Sequence, residues 1–178
     1  MHVQLSLCVL RPCRDGDQPD IVRHADNPNV ARHLRDLFPQ PYTLKDANDW
    51  LARATAKSPP LNLAITIDDH FIGGIGLSRG FDIHRVSAEV GYWLGEEFWG
   101  RGIVACALRG FTHYAFATFP DLNRIFAYVD EDHAPSIRVL EKATYRREGH
   151  LVGASIKHGQ IRNQFLYAII RAEAATLS

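Results

Sequence analysis

Glu89-Val90-Gly91-Tyr92-Trp93-Leu94, followed after Gly95-Glu96-Glu97-Phe98 by Trp99-Gly100-Arg101-Gly102-Ile103-Val104, is the stretch that decides how this chain folds. The first run is short, mostly apolar and punctuated by glycine, which is the pattern of a strand. The second sets two glycines before a segment in which Val104, Leu108, Phe111 and Ala115 recur at helical spacing, one apolar stripe along a helix. Pro120 ends that helix just beyond Thr118, and Arg124 to Asp130 reads as the next buried strand. The local order is therefore strand, glycine turn, helix, strand. At such a junction the first backbone N–H groups of the helix lack partners within it and carry the positive end of its dipole, so they suit a phosphate or pyrophosphate. Glycine at 100 and 102 removes the side chains that would hold a bulky anion away. The competing reading is that these glycines only make a tight connection.

Two nucleotide motifs can be tested against this turn, and both fail. Walker A requires Lys followed by Ser or Thr after its second glycine, where Ile103 and Val104 stand. The dinucleotide fingerprint requires a third glycine and an acidic residue about twenty positions on, after a second strand. Position 105 is alanine, and Asp121 falls in the turn before the next strand. Neither ATP nor NAD is favoured.

The 178 residues suffice for one sizeable core, and a hydrophobic content of 46% is ordinary for a soluble fold, so residues 1–178 are read as a single domain. Twenty basic and twenty acidic residues cancel, and no global field draws nucleic acid or an anionic membrane. No apolar run approaches the roughly twenty residues of a membrane span, and the N-terminus lacks a signal-peptide pattern. Cys8, Cys13 and Cys106 make neither a disulfide framework nor a zinc clip, and a cytoplasmic location is the default expectation. No H-E-x-x-H pair occurs among the nine histidines, so no metal is expected.

Along the chain, Val3 to Leu10 reads as a first strand stopped by Pro12, and Asp20 to Asp36 as helical. Thr43 with Asp46 three residues on marks a capped helix start. Leu61 to Ile67 and Phe71 to Leu77 read as strands joined at Asp68-Asp69-His70, and Gly80 to His84 turns the chain into the strand that opens this section. Leu151 to Ile156 and Ile161 to Ile170 read as a closing hairpin around His158-Gly159. The expected fold class is α+β, a mixed, mainly antiparallel central sheet flanked by helices.

With these elements in place, the residues resemble the acyl-CoA-binding core of the GNAT N-acetyltransferase superfamily, and more closely the branch that acetylates ribosomal-protein N-termini. The likeness is carried by Ala88 to Leu94, Trp99-Gly100-Arg101-Gly102, and Ser136-Ile137-Arg138-Val139-Leu140-Glu141-Lys142. Weaker echoes lie at Leu10-Arg11-Pro12, Asn27 to Arg32, Pro41-Tyr42-Thr43 and Asp46 to Leu51. The resemblance implies acetyl-CoA as acyl donor, its pyrophosphate on the amides of Gly100, Arg101, Gly102, Ile103 and Val104, its pantetheine along Tyr92, Trp93 and Leu94, and Trp99 among the residues that bind it. Three positions depart from the family pattern. Val104 stands where Gly or Ala is usual, His133 where Asn is usual, and Thr144 where Gly is usual. A threonine would be costly there if that glycine normally adopts a positive φ.

Acetyl transfer to an amine needs a deprotonated amine, a polarised carbonyl and a proton for the departing thiolate. The resemblance makes Glu89 the base, directly or through water. A carboxylate in an apolar strand agrees, although solvent exposure or an ion pair with Arg85 would explain it equally. The matching role for Ser136 is a hydrogen bond to the thiolate, against an ordinary helix N-cap. Tyr92 and Tyr145 are phenols of the region whose bland reading is packing. His133 is expected near the cofactor, and Arg138 or Lys142 near its ribose phosphate, unless the last two only decorate a solvated face.

Three functions remain in play at this point. The first is an N-acetyltransferase acting by direct attack on a protein N-terminus or a small-molecule amine. The second is an acyl-CoA-binding sensor with weak or no turnover. The third is a serine hydrolase using Ser78 of Gly76-Leu77-Ser78-Arg79-Gly80, which requires a helix after Ser78. The acceptor choice falls to the segment from Asn27 to Trp50, and a homodimer is compatible with the sequence.

Overall fold

The computed structural model describes residues 2–175. The chain folds as two compact units, one taking in residues up to Gly76 together with Tyr92–Gly110, the other Leu77–Gly91 together with residues from Phe111 onward.

In the first unit, β1 (Val3–Gln4) and β2 (Val9–Pro12) are antiparallel, with Val3 opposite Leu10. The single strand expected over Val3 to Leu10 is thus a tight hairpin, closed by the Leu5 N–H donating to the Cys8 carbonyl at 3.0 Å. Leu5 explains the reversal. It packs against Gly110, where an added Cβ would lie 2.6 Å from the leucine, so the turn gains a tertiary contact that alternation alone does not reveal. The helix expected from Asp20 to Asp36 is two helices, α1 (Gln18–Ala25) and α2 (Pro28–Ala31). Asn27 is extended between them, and its side chain accepts from the Asn29 N–H at 2.9 Å. With Pro28 in the first turn, this is a helix restart. The next helix, α3 (Leu44–Thr55), begins at Thr43 with the expected capping box to Asp46.

β3 (Asn62–Ile67) and β4 (His70–Arg79) form the expected hairpin around Asp68 and Asp69. β5 (Ser87–Leu94) follows, and the strand order in this unit is β1-β2-β3-β4-β5. Its core gathers Ile21, Leu51, Phe71 and Tyr42, with Phe38, Trp50 and Trp93 packed against them. Arg11, although only 2% exposed, is held by both carboxylate oxygens of Asp17 at 2.9 and 2.7 Å and by Asp69 at 3.0 Å. Burial pushes the thiols of Cys8 and Cys13 up to about 12, which suits packing rather than nucleophilic chemistry.

α4 (Ile103–Thr118) begins in the first unit and ends in the second. It is buried around most of its circumference, with Arg109, His113 and Ala117 as its exposed line, so the single apolar stripe expected from the sequence is an underestimate. In the second unit come β6 (Arg124–Asp130), α5 (Ala134–Lys142), β7 (Arg146–Lys157), β8 (Gln160–Ile170) and the short α6 (Arg171–Ala174). Strand order there is β4-β5-β6-β8-β7. β5 and β6 run parallel, with Glu89 opposite Phe126, whereas β6–β8 and β7–β8 are antiparallel. The β7–β8 hairpin turns at His158-Gly159, as expected. The mixed, mainly antiparallel sheet with helices is the α+β class anticipated.

Ser78 lies inside β4. It is followed by Gly80, a 3-10 turn at Asp82–His84 and then β5. The helix that a nucleophile elbow needs does not follow it, and the hydrolase reading falls with it.

Candidate active site

The turn between β5 and α4 is more elaborate than the sequence suggests. After Leu94 and Gly95 comes a 3-10 turn at Glu96–Phe98, then an extended Trp99. Gly100 and Gly102 both adopt φ +76°, a left-handed conformation that L side chains rarely enter. The first helical hydrogen bond of α4 runs from the Cys106 N–H to the Gly102 carbonyl at 3.1 Å. The N–H groups of Ile103, Val104 and Ala105 therefore precede the helical ladder, as at any helix N-terminus. A Cβ built at Gly100 would meet nothing within 4 Å, and one at Gly102 only the Leu7 side chain at 3.7 Å. Neither glycine serves internal packing. Their missing side chains leave the approach to the helix amides open, and an anionic diphosphate fits that cradle.

Side chains of the turn fold back onto it. The Trp99 indole N–H donates to the Leu94 carbonyl at 2.8 Å. Arg101 donates to the Glu97 carbonyl at 2.8 Å, and its guanidinium lies 5.6 Å from the Phe98 ring centre. Ile103 is buried and Val104 half-buried, so the valine that departs from the family pattern leaves its own N–H at the helix start. Behind the turn, the His24 ring fills the space where Gly95 has no side chain, 2.8 Å from an added Cβ. Burial lowers the pKa of His24, opposed by Glu97, whose carboxylate stands 3.5 Å from Nδ1.

On β5, Tyr92 is half-buried and Leu94 buried. The Trp93 ring belongs to the aromatic core, 5.6 Å from Phe38 and 5.7 Å from Phe71. Phe38, Tyr42 and Trp50, from the segment expected to shape the acceptor, join the same cluster.

Glu89 is half-buried on the part of β5 that belongs to the second unit. Arg85, its suggested partner, donates to the Asp82 carbonyl at 2.9 Å. His133 is the residue at the N-cap of α5, without a side-chain capping bond. Ser136 is the third residue of that helix, so the capping role considered for it is not the one it has. Tyr145 is buried, its hydroxyl 2.8 Å from Thr112 Oγ1, in agreement with a packing role. Arg138 and Lys142 are exposed. Thr144 has φ +67°, the left-handed conformation for which glycine is the usual choice. Of the candidate residues, Tyr92, Trp93, Leu94 and Trp99 to Val104 thus belong to the first unit, and Glu89, His133, Ser136 and Lys142 to the second.

Residues 8–146 match the acetyltransferase (GNAT) domain family. This chain belongs to the GNAT acetyltransferases. It is 31% identical over 171 residues to the uncharacterized N-acetyltransferase p20 of Bacillus licheniformis, covering 93% of this chain and 94% of that protein. It is also 31% identical over 103 residues to the ribosomal-protein-serine acetyltransferase of Escherichia coli, covering 58% of this chain and 56% of that one. The fold superposes on RimJ of Mycobacterium smegmatis, solved with a CoA disulfide, with a TM-score of 0.82 at 24% identity, covering 97% and 87% of the two chains. This GNAT protein is accordingly an acetyl-CoA-dependent acetyltransferase.

Several residues that shape the acetyltransferase are not evident from sequence. Arg171 donates to the carbonyls of Phe116, Phe119 and Leu122 at 2.7, 2.8 and 2.6 Å, gathering the end of α4 and the turn after it. Asn27, Asn29 and Glu96 form a hydrogen-bonded group at the turn before Trp99. An Asn-Pro pair is a readable helix start. Nothing in one sequence pairs it with a glutamate nearly seventy positions away.

Proposed function

We propose that this acetyltransferase moves the acetyl group of acetyl-CoA to a primary amine by direct attack, with a protein N-terminus as acceptor. The observation that carries the reading is the pair of left-handed glycines, Gly100 and Gly102, set before the first N–H groups of α4, where a Cβ would meet nothing at Gly100 and only the Leu7 side chain at Gly102. There the amides of Gly100 to Val104 hold the diphosphate, while the backbone of Tyr92, Trp93 and Leu94 guides the pantetheine arm. Glu89 takes the proton of the attacking amine, directly or through one water. Ser136 donates a hydrogen bond to the departing thiolate, which a hydroxyl can do without full proton transfer. The same reading gives His133 a contact with the pantetheine and Lys142 one with the ribose phosphate.

A peptide α-amine, with a pKa of about 7.7–8.0, is easier to deprotonate than a lysine at about 10.4, by roughly 3.5 kcal/mol. That difference, together with the likeness to a ribosomal-protein-serine acetyltransferase, favours the N-terminus over a side-chain amine. A small-molecule amine is the second reading. The test follows CoA release with peptides beginning in Ser or Ala and with a set of polyamines and amino acids. Turnover on the peptides is expected, and Glu89→Gln should lower it by about 10²-fold while leaving CoA affinity intact. Turnover confined to small amines would replace the acceptor. CoA binding without release in every reaction would make the protein a sensor, and an unchanged rate in Glu89→Gln would remove that residue from the mechanism.

A further inference from the structure

The turn that precedes the diphosphate loop is clasped from outside. Glu96 opens that turn, four residues before Gly100, and its two carboxylate oxygens are divided between two asparagines. Asn27 Nδ2 donates to Oε2 at 2.6 Å, and Asn29 Nδ2 donates to Oε1 at 2.8 Å. The asparagines are themselves linked, because Asn27 Oδ1 accepts from the Asn29 N–H at 2.9 Å as the cap of α2. The result is a closed ring of three residues. The next residues repeat the theme: Glu97 lies 3.4 Å from Arg23, and the Phe98 ring meets His24 edge-on at 5.5 Å. Thus Glu96, Glu97 and Phe98 all lean on the end of α1 and the start of α2. Two asparagine amides on one carboxylate are donors chosen to match it, since either amide exchanged for a carboxylate would set like charges at hydrogen-bond distance.

We propose that the Asn27–Glu96–Asn29 ring is a positioning device that holds the diphosphate loop in its binding conformation from the acceptor-side segment. Glu96 touches no reacting atom. It acts through the path of Gly95 to Trp99, and therefore through the angle at which Gly100 and Gly102 present the amides of α4. The same ring makes the loop and the segment beginning at Asn27 one mechanical unit, so a shift in that segment is felt where the donor binds. The inference rests on the assignment of the loop to acetyl-CoA.

The test is calorimetric titration of CoA into the full chain and three variants, with thermal midpoints measured alongside. Wild-type binding establishes the assignment itself, and a wild-type protein that does not bind CoA overturns that reading whatever the variants do. Given wild-type binding, Asn27→Asp sets a second carboxylate against Glu96 and should weaken CoA binding about tenfold. Glu96→Gln removes the charge and one acceptor and should have a smaller effect of the same sign. The double variant N27D/E96Q reverses the donor direction, with the amide introduced at position 96 donating to the carboxylate introduced at position 27. It should recover affinity to within about threefold of wild type. A carboxylate at position 27 still caps α2, so the helix start is kept. Asn27→Asp with wild-type affinity, or a double variant as weak as Asn27→Asp alone, would overturn the proposal. A purely structural ring would lower the thermal midpoint with affinity unmoved, and that outcome too would overturn it.

Discussion

Two turns of this acetyltransferase place backbone in the same left-handed region and fill it with opposite residues. Before α4, the positions at φ +76° are Gly100 and Gly102; after α5, the position at φ +67° is Thr144. The α5 turn serves to end a helix. The Thr144 N–H donates to the Glu141 carbonyl and the Tyr145 N–H to the Leu140 carbonyl, both at 2.9 Å, while Leu140 and Tyr145 are buried. This is the Schellman arrangement, and its hydrogen bonds with the burial of both side chains offset the strain of a β-branched residue. The α4 turn carries its positive φ on glycine, at no steric cost, and in the proposed reading the space in front of it stays open for a ligand. Strain can be borne where a turn only ends a helix. Side chains cannot be borne where a turn receives an anion.

The largest effect that separates the two turns is expected from Gly102→Glu. It adds bulk and negative charge where the diphosphate is proposed to sit, and CoA affinity measured by calorimetry should fall by more than about 100-fold. Retained affinity would mean that the loop does not hold the diphosphate and that the contrast between the turns is accidental. At the other turn, Thr144→Gly relieves a left-handed β-branched residue and should stabilise the protein by roughly 1 kcal/mol, seen as a raised denaturation midpoint with CoA affinity unchanged. A loss of stability there would show that the threonine contributes contacts that outweigh its strain.

The smallest effect concerns what each turn leans on. The α4 turn rests on His24, whose folded pKa lies below its unfolded value because burial disfavours the charged ring. Above the unfolded value, near 6.5, both states are neutral and the group contributes nothing to pH dependence. As pH falls through that value the unfolded chain takes up the proton first, so stability declines until the folded pKa is passed. The wild-type melting midpoint should therefore drop between about pH 7.5 and pH 5.5 by more than that of His24→Phe. Equal drops in the two proteins would remove His24 as a titrating support.

Much of the fold was legible because it is locally encoded. The Thr43–Asp46 capping box, the Asp68-Asp69 and His158-Gly159 hairpins and the start of α4 each depend on residues within a few positions of one another. The reading failed where distant contacts overrode local pattern. Leu5 turned a continuous strand into a hairpin by packing on Gly110; the break at Asn27, by contrast, is a local cap followed by Pro28 that the helical pattern masked. The assignment of Ser136 as a cap failed by three residues, because the helix starts at Ala134, with Pro135 in the first turn where its missing N–H does no harm. The glycine turn before the apolar helix was readable all the same, since both features are local.

What the chain of residues determined by itself is the glycine cradle before α4: where the glycines fall, which helix follows, and hence the likeness to the acetyltransferase family. Backbone conformation there depends on the missing side chains of Gly100 and Gly102, a property of two residues alone. Tertiary structure alone decided which groups support that cradle, namely Glu96 on Asn27 and Asn29, and His24 behind Gly95. Hydrogen bonds and ring contacts of that kind join residues about seventy positions apart, and their geometry exists only once the intervening chain has packed.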